Sequence, residues 1–261
     1  LLTFEPHPRE LFAPAAAPAR LTSLREKLEL LGAYGVGHVH VQRFSRAFAS
    51  LSPQEFLDRI LVRALGVRWL LVGDDFRFGA QRAGDLALLA RAADEHGFEV
   101  ETMPSVLLEG TRISSSAVRA ALARGDLVHA RKLLGRAYSI SGRVVHGDKL
   151  GRALGFATAN VQLKHNRPPL AGIFAVRVRG VAERQCQGVA SLGVRPTVKA
   201  DGRPTLEVHL FEYSGDLYRR HLRVEFIEKI RDEETYPDLA ALKAQIARDC
   251  DAARAVLAAA E

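Results

Sequence analysis

The sequence HGDKLGRALGFATAN, residues His146–Asn160, combines residue types that could bind phosphate groups and a metal ion. Its three glycines let the backbone turn sharply and approach a ligand, and exposed N–H groups in such a turn attract anions. Lys149 and Arg152 add positive charge beside them. Thr158 and Asn160 alternate on a strand, so both point to one face with the hard oxygen atoms that Mg²⁺ requires. The alternative is a glycine-rich hairpin with a solvated basic tip, because the Walker pattern G-x-x-x-x-G-K-[ST] is absent.

A second candidate group is the strand-like segment Leu206–Leu210, which alternates strictly between apolar and polar residues. Glu207 and His209 should share the face opposite the leucines and the valine. A sugar-like or primary hydroxyl needs a base to give up its proton in phosphoryl transfer, and Glu207 could serve as that base. The alternative is a solvated surface glutamate. His209 is interpreted as a surface or packing residue.

Two segments of the first half could contact a nucleotide. Gly73–Gly79 follows a strand directly, where an α/β sheet holds its ligands, although two adjacent aspartates also suit a solvated turn. Ile113–Arg119 places three serines at a helix start, and helix N-termini bind phosphate. Ordinary N-capping explains those serines equally well.

Helices and strands must position these groups. The first half of the chain alternates strand-like and helix-like segments. Such alternation predicts a parallel sheet with covering helices. Ser52-Pro53 has the cap-then-proline order of a helix start, and Thr22 or Ser23 could cap an earlier helix. The main predicted elements are a helix over Thr22–Leu31, a strand over Trp69–Val72, a helix over Asp85–His96, a strand over Phe98–Met103 and a helix over Ser114–Arg124.

After Gly125 the pattern changes to a short helix, Leu127–Leu134, and then to strand after strand separated by glycine- and proline-rich turns. This predicts a small antiparallel barrel. Its strands are expected at Ser139–His146, Thr158–Leu163, Ile173–Val178, Gln187–Ser191, Leu206–Phe211 and Leu222–Lys229. A closing helix over Asp238–Ala259 has an apolar stripe of Leu239, Leu242, Ile246, Cys250 and Ala253.

Length and composition narrow the class of protein. A chain of 261 residues favours two domains, and a net charge of +7 favours anionic ligands. Because that charge is scattered, we expect no nucleic-acid partner. Two distant cysteines and the lack of a membrane-length apolar run indicate a cytoplasmic protein without a membrane partner. The start at Leu1, within a strand-like run, is typical of a fragment or a processed product. Homo-oligomerisation is left open.

Six motifs, in this order, resemble the bacterial bifunctional riboflavin kinase/FMN adenylyltransferase (FAD synthetase) family over essentially the whole chain. They are TFEPHP (Thr3–Pro8), VGDDFRFG (Val72–Gly79), ISSSAVR (Ile113–Arg119), HGDKLGRALGFATAN, SLGVRPT (Ser191–Thr197) and LEVHLFEYSGDLY (Leu206–Tyr218). The resemblance implies a Rossmann-like, nucleotidyltransferase-type α/β domain that adenylates FMN to FAD. It also implies a six-stranded antiparallel β-barrel that phosphorylates riboflavin to FMN, with ATP as co-substrate and Mg²⁺ as cofactor. The expected ranges are residues 1–125 for the first domain, 126–137 for a linker helix and 138–261 for the barrel with its C-terminal helix.

The same resemblance implies roles for individual residues. Glu207 is the expected base, and Thr158 and Asn160 are the expected ligands of the metal and of the ATP phosphates. The other expected contacts are Gly147, Lys149 and Gly151 in the ATP loop, Arg195, Arg231 and Glu233 near the flavin, and Asp75, Phe76, Ser115 and Arg119 at the nucleotide of the adenylyltransferase.

This sequence departs from the family pattern at two places. The family's opening glycine-rich segment, with an H-x-G-H phosphate site, has no counterpart here, so we expect kinase activity with little adenylyltransferase activity. The family's P-T-A-N reads Ala157-Thr158-Ala159-Asn160, and the lost proline should reduce backbone preorganisation only slightly. A degenerate protein that binds flavin nucleotides without turnover is the main alternative. A basic RNA-binding barrel is another, which the lack of interleaved surface aromatics disfavours.

Overall fold

The computed structural model describes residues 1–147, 151, 154–164, 167–181, 185–194 and 204–260. The chain divides into two compact units. Unit 1 comprises Leu1–Pro18 and Gly32–Ile113, and unit 2 comprises Ala19–Leu31 and Ser114–Glu261. Unit 2 therefore takes in a short segment from the first half of the chain as well as the residues after 113. The boundaries predicted at 125 and 137 stay a prediction.

The elements of the first half follow the predicted strand–helix alternation. In chain order they are β1 (Leu2–Glu5), α1 (Pro8–Phe12), α2 (Leu24–Ala33), β2 (His40–Arg43), α3 (Arg46–Ala49), α4 (Pro53–Phe56) with a π-helical continuation (Leu57–Ala64), β3 (Trp69–Gly73), α5 (Leu86–His96), β4 (Glu99–Met103), β5 (Leu107–Leu108), β6 (Thr111–Arg112), α6 (Ser115–Ala123) and α7 (Leu127–Leu134). The predicted start at Ser52-Pro53 is confirmed, because the Ser52 and Glu55 side chains cap α4 reciprocally.

Unit 1 is held together by parallel strand pairs and one apolar cluster. β1 pairs with β2 and β3 with β4, both parallel, as predicted. They form two separate two-stranded sheets, however, and not the single sheet that the alternation suggested. Side-chain packing fills the space around them, because Leu2 and Phe4 of β1 pack on the same cluster as Val72 of β3. The buried members of that cluster are Phe56, Leu57, Leu61, Val72, Phe78, Leu89, Ala92, Ala93 and Phe98.

Unit 2 is built on a closed six-stranded antiparallel barrel, which confirms the predicted fold of the second half. Its strands are β7 (Tyr138–Val145), β8 (Thr158–Val161), β9 (Gly172–Arg179), β10 (Cys186–Val194), β11 (Pro204–Leu210) and β12 (His221–Arg231). Around the barrel the order is β10-β11-β8-β7-β12-β9. Closure leaves no free sheet edge. The strict alternation of β11 places Leu206, Val208 and Leu210 inside and the intervening residues outside.

Helix α8 (Leu239–Ala259) covers the outer face of the barrel at β9. Ile173 and Ala175 of β9 pack against Cys250, Ala253 and Leu257, so β9 is buried on both faces. The predicted stripe is confirmed at Cys250 and Ala253 and wrong at Leu239, which is 57% exposed. Leu239 is the first residue of the helix and lies outside this contact. The burial of Asp249 was not predicted, because it depends on an ion pair with Arg231, which lies on β12 and not on the helix.

Helices α2 and α7 lie outside the barrel sequence and contact the barrel in unit 2. Ser23, one of the two predicted caps, exchanges hydrogen bonds with Glu26 at the start of α2. The second carboxylate oxygen of Glu26 accepts a hydrogen bond from the Ser141 N–H of β7. Glu29 of the same helix forms an ion pair with Arg223 of β12 at 2.9 Å. Helix α7, predicted as a linker, packs on β7 and β12 and buries Leu127, Ala130 and Leu133.

Candidate functional site

The predicted base and metal ligands come together on the outer face of the barrel. Glu207 of β11 lies directly opposite Asn160 of β8 and directly opposite Ser191 of β10. Directly paired residues of antiparallel strands point to the same face, with Cβ atoms about 4.5–5.5 Å apart. Thr158 is two residues from Asn160 on β8 and shares its face. The strand register therefore forms one polar row of Asn160, Glu207 and Ser191, with Thr158 beside it.

Two glycines form a close cradle around the side chains of β8. A Cβ at position 147 would lie 2.6 Å from Asn160 Oδ1, and a Cβ at position 151 would lie 3.1 Å from Thr158 Oγ1. A side chain at position 147 would displace the Asn160 amide, and one at position 151 would collide with the Phe156 carbonyl oxygen and press on Thr158. The hydroxyl and amide oxygens are neutral hard donors, the type that Mg²⁺ accepts. The donor set and the cradle thus fit a divalent cation.

His209 lies next to this pair and contacts the residues that lead into β8. It is the strand partner of Thr158, and its Nδ1 donates a hydrogen bond of 2.9 Å to the Ala157 carbonyl oxygen. The ring also packs edge-on against Phe156 and Phe211, with centroid distances of 5.5 and 6.0 Å. The prediction of a packing role is confirmed by these contacts, and the hydrogen bond to Ala157 is an addition to it.

The far end of the polar row reaches the segment that follows β12. Ser191 Oγ donates a hydrogen bond of 3.3 Å to Glu233 Oε1, and a Cβ on Gly193 would collide with the Glu233 carboxylate. Arg231 is held by two hydrogen bonds to buried Asp249, of 2.8 and 2.6 Å. These bonds and the negative charge of Asp249 raise the pKa of Arg231, although its partial burial opposes the rise. The guanidinium therefore stays charged beside the polar row.

A cavity of about 300 Å³ opens beside Thr158 at one end of the barrel. Its walls combine apolar barrel residues with the loop between β11 and β12. The lining residues are Val144, Ala157, Thr158, Ala159, Val208, Leu210 and residues 213–218. The His146 ring lies over the Tyr218 ring, with centroids 4.0 Å apart, so the loop is fixed to the end of β7. This loop is part of the motif LEVHLFEYSGDLY, for which no separate role was predicted, and its two tyrosines flanking Ser-Gly-Asp were the available signal.

Three of the predicted kinase residues, Lys149, Arg152 and Arg195, lie outside the described residues. Their roles stay predictions. All the other predicted kinase residues are described, and the structure places them in the region just outlined.

The predicted nucleotide residues of unit 1 follow β3. Asp75 is largely exposed and lies 3.9 Å from Arg112, while the Phe76 ring stacks on Phe78 at 5.6 Å. Asp74, which was not singled out, accepts hydrogen bonds from Ser105 and Arg112, both of 3.2 Å. The loop after β3 is thus tied to the β5–β6 hairpin through a carboxylate of the predicted motif.

The remaining predicted nucleotide residues belong to unit 2. Ser114 caps α6 by accepting a hydrogen bond of 3.1 Å from the Ala117 N–H, which confirms the capping interpretation for that serine. Ser115 is exposed at the first turn of α6. Arg119 Nε donates a hydrogen bond of 2.6 Å to the Ala19 carbonyl oxygen. Ser115 and Arg119 thus lie on one helix, in a different unit from Asp75 and Phe76.

Two other structural features are absent from the described residues. No group of three or more His, Cys, Asp or Glu side chains there could hold a metal ion, so a transition-metal centre of that kind is not formed by this part of the chain. Nor does this part of the chain contain a helix with the length and apolar character that crossing a membrane requires.

Comparison with protein families gives two matches, one for each half of the chain. The FAD synthetase family model matches residues 1–117, and the riboflavin kinase family model matches residues 134–257. The second range contains the barrel and nearly all of α8. Members of these families use ATP, typically with a divalent metal.

Curated relatives match over almost the whole chain and carry the name bifunctional riboflavin kinase/FMN adenylyltransferase. The protein from Escherichia coli (strain K12) is 52% identical over 95% of this chain and 79% of its own length. The protein from Pseudomonas fluorescens is 50% identical over 99% of this chain and 82% of its own length. A crystal structure described as a macrolide-efflux protein from Streptococcus pneumoniae has a TM-score of 0.77 and 29% identity, covering 97% of this chain and 82% of that one.

Proposed function

This chain belongs to the bifunctional riboflavin kinase/FMN adenylyltransferase family, and we propose that its polar row on the barrel carries out the kinase reaction. The protein is a transferase of flavin cofactor biosynthesis that makes FMN from riboflavin and FAD from FMN. The observation that carries the assignment of the site is the register that places Glu207 directly opposite Asn160.

Glu207 is the proposed general base. Its carboxylate accepts the proton of the terminal ribityl hydroxyl while that oxygen forms a bond to the γ-phosphorus of ATP, and the bond from the γ-phosphorus to the leaving ADP oxygen breaks. A positioned carboxylate of this kind contributes about 10²–10⁴-fold to the rate. Glu207 is suited to this role because it adjoins the proposed phosphate site on β8 and faces the outside of the barrel, where a substrate can approach.

Thr158 and Asn160 are the proposed ligands of Mg²⁺, and Gly147 and Gly151 are proposed to let the ATP phosphates approach them. A Mg²⁺ ion held by these two residues would supply positive charge that offsets the negative charge of the ATP phosphates. The fit is supported by the two oxygen donors on one face and by the absence of room for a Cβ at either glycine. Lys149 is proposed to add a positive charge in the same loop.

We assign the adenosine part of ATP to the cavity beside Thr158. The cavity offers apolar walls from Val208 and Leu210 and aromatic side chains from Tyr213 and Tyr218, which suit a flat base. Its volume of about 300 Å³ lies at the lower end of the range for small-molecule sites. Because Thr158 lines the same cavity, a nucleotide bound there would direct its phosphates towards the metal ligands.

The flavin is proposed to lie at the opposite end of the polar row. Ser191, Glu233 and Arg231 provide hydroxyl, carboxylate and guanidinium groups there, and Arg195 is proposed to add a second guanidinium. Glu207 stands between this end and the metal ligands. Such a placement would direct the ribityl chain towards the base and the γ-phosphate.

For the adenylyltransferase reaction we propose nucleotide contacts for each unit by itself: Asp75 and Phe76 in unit 1, and Ser115 and Arg119 in unit 2. The exposed start of α6 supports this assignment, because free N–H groups at a helix N-terminus attract phosphate. In unit 1, the loop after β3 is tied to Arg112 through Asp74, which supports the proposal for Asp75 and Phe76.

The test is to incubate the purified protein with riboflavin, ATP and Mg²⁺ and to separate FMN from FAD by chromatography. We expect ATP-dependent formation of FMN, and a second incubation with FMN in place of riboflavin measures FAD formation separately. Binding of flavin nucleotides without any turnover would overturn the proposal. A control without Mg²⁺ checks the dependence on the metal.

A further inference from the structure

We infer that His209 is a positioning residue of the kinase, which holds Thr158 in place through the Ala157 carbonyl. The inference rests on the proposed function, because it gives Thr158 the metal and phosphates as ligands. It assigns to His209 a role in nucleotide binding, in addition to its packing in the barrel wall.

The His209 ring is fixed on three sides. Phe156 and Phe211 contact it edge-on, with interplanar angles of 84° and 72°. The Phe211 ring is itself covered by the guanidinium of Arg254 from α8, 4.3 Å from its centroid. The third contact is the hydrogen bond of 2.9 Å from Nδ1 to the Ala157 carbonyl oxygen. A carbonyl can only accept, so this contact requires the proton on Nδ1.

The hydrogen bond acts on Thr158 because of peptide geometry. The Ala157 carbonyl and the Thr158 N–H belong to one planar peptide unit, so fixing the oxygen fixes the orientation of the plane that leads into Thr158. Thr158 also faces His209 across the strand pair, so both ends of this short link are anchored to β11.

Residue 157 is an exposed alanine, so its side chain contributes little restraint to the backbone. Alanine restricts the backbone less than proline does, because no ring fixes its φ angle. The family pattern has proline at this position, which restricts the backbone by itself. In this chain, the hydrogen bond from His209 supplies an external restraint at the same position.

Three substitutions separate this role from simple packing. His209→Phe keeps an aromatic ring against Phe156 and Phe211 but removes the donor. His209→Asn removes the ring but retains an N–H at the position of Nδ1, and His209→Gln places its N–H one bond further out, at the position of Nε2. If the hydrogen bond matters, the asparagine variant should function better than both others, although its packing is poorer.

The test measures kcat and KM for Mg²⁺–ATP and for riboflavin in the full chain, together with Mg²⁺–ADP binding by calorimetry. For His209→Phe we expect kcat/KM for Mg²⁺–ATP to fall by about 10- to 100-fold, the usual effect of losing a partner that orients a metal ligand. Mg²⁺–ADP binding should weaken in parallel. The KM for riboflavin should stay within about twofold of the wild-type value, because His209 pairs with Thr158, on the side of the proposed nucleotide site. His209→Asn should recover most of the loss.

The outcomes distinguish the inference from the proposed function. If the wild-type protein makes no FMN, the proposed function is wrong. If the wild-type protein makes FMN and His209→Phe has unchanged nucleotide constants, the inference is overturned and the function stands. Equal losses in the asparagine and glutamine variants would also overturn it, because that result assigns the effect to ring packing. Should His209→Phe fail to fold, the comparison of asparagine with glutamine still decides the question.

Discussion

Replacing Gly147 by alanine should impair the kinase by moving Asn160, while the barrel stays folded. A Cβ at position 147 would lie 2.5 Å from Asn160 Cγ and 2.6 Å from Asn160 Oδ1. Since favourable contacts between heavy atoms begin at about 3.5 Å, the amide group must withdraw by about 1 Å. The obstructing atoms are the end of one side chain, so it can rotate away at little cost. We expect the free energy of unfolding to change by about 0.5 kcal/mol or less.

The kinetic effect should be much larger than the effect on stability. A displacement of about 1 Å in a positioning group costs about 10²-fold in rate, which corresponds to roughly 2.7 kcal/mol of barrier. We expect this loss in kcat/KM for Mg²⁺–ATP, measured from the initial rate of FMN formation at several Mg²⁺–ATP concentrations. Thermal or urea unfolding of the same preparation measures stability.

Gly32→Ala is the matched control. Position 32 lies in α2, and a Cβ there would meet nothing within 4 Å. Alanine is a better helix former than glycine by about 1 kcal/mol, so this variant should be as stable as the wild type or more so, with unchanged kinetics. If Gly147→Ala keeps its kcat/KM for Mg²⁺–ATP within about twofold of the wild-type value, Asn160 does not bind the metal or phosphates as proposed, and the reasoning fails.

Three other predictions follow from the same structure. Glu207→Gln should lower kcat for FMN formation by about 10²–10⁴-fold while Mg²⁺–ADP still binds in calorimetry, and an unchanged kcat would remove Glu207 from the mechanism. Ala157→Pro should raise the free energy of urea unfolding by about 0.4–1 kcal/mol, because the side chain is exposed and the ring restricts the unfolded chain; a loss of folding would show a backbone unsuited to proline. Burial, reinforced by the charge of Arg25, lowers the pKa of His221 below its usual 6.5. The unfolded chain therefore binds the proton at a higher pH than the folded chain does. Stability should be fully present above about pH 6.5 and fall as the pH is lowered through the folded pKa, and this slope should be weaker in His221→Gln when urea unfolding is repeated between pH 7.5 and pH 5.

The strand pattern predicted the barrel well because its information is local. Alternation in β11 is a property of consecutive residues, and it assigned Glu207 to the outer face without any knowledge of the neighbouring strands. The glycines at 147 and 151 were also identified from the sequence alone. Their partners are close in sequence, at Asn160 and Thr158.

The parts that the sequence did not predict depend on contacts between distant segments. Asp249 is separated from Arg231 by 18 positions, and a carboxylate on a helix gives no sign that it will be buried in an ion pair. Glu26 likewise combines an ordinary helix cap with a hydrogen bond to a strand 115 positions away. The separation of the parallel strands of unit 1 into two sheets is also decided by tertiary packing, which alternation of elements does not encode.

The attachment of residues 19–31 to the barrel has a consequence for separating the two activities. The polypeptide passes from unit 1 to unit 2, returns, and crosses again at 113–114, so no single cut yields both bodies intact. A stand-alone kinase expressed from residue 126 onward would lose the carboxylate that receives the Ser141 amide and the acidic partner of Arg223. Expression of the kinase alone would thus require α2 to be supplied as a separate peptide or fused ahead of the barrel.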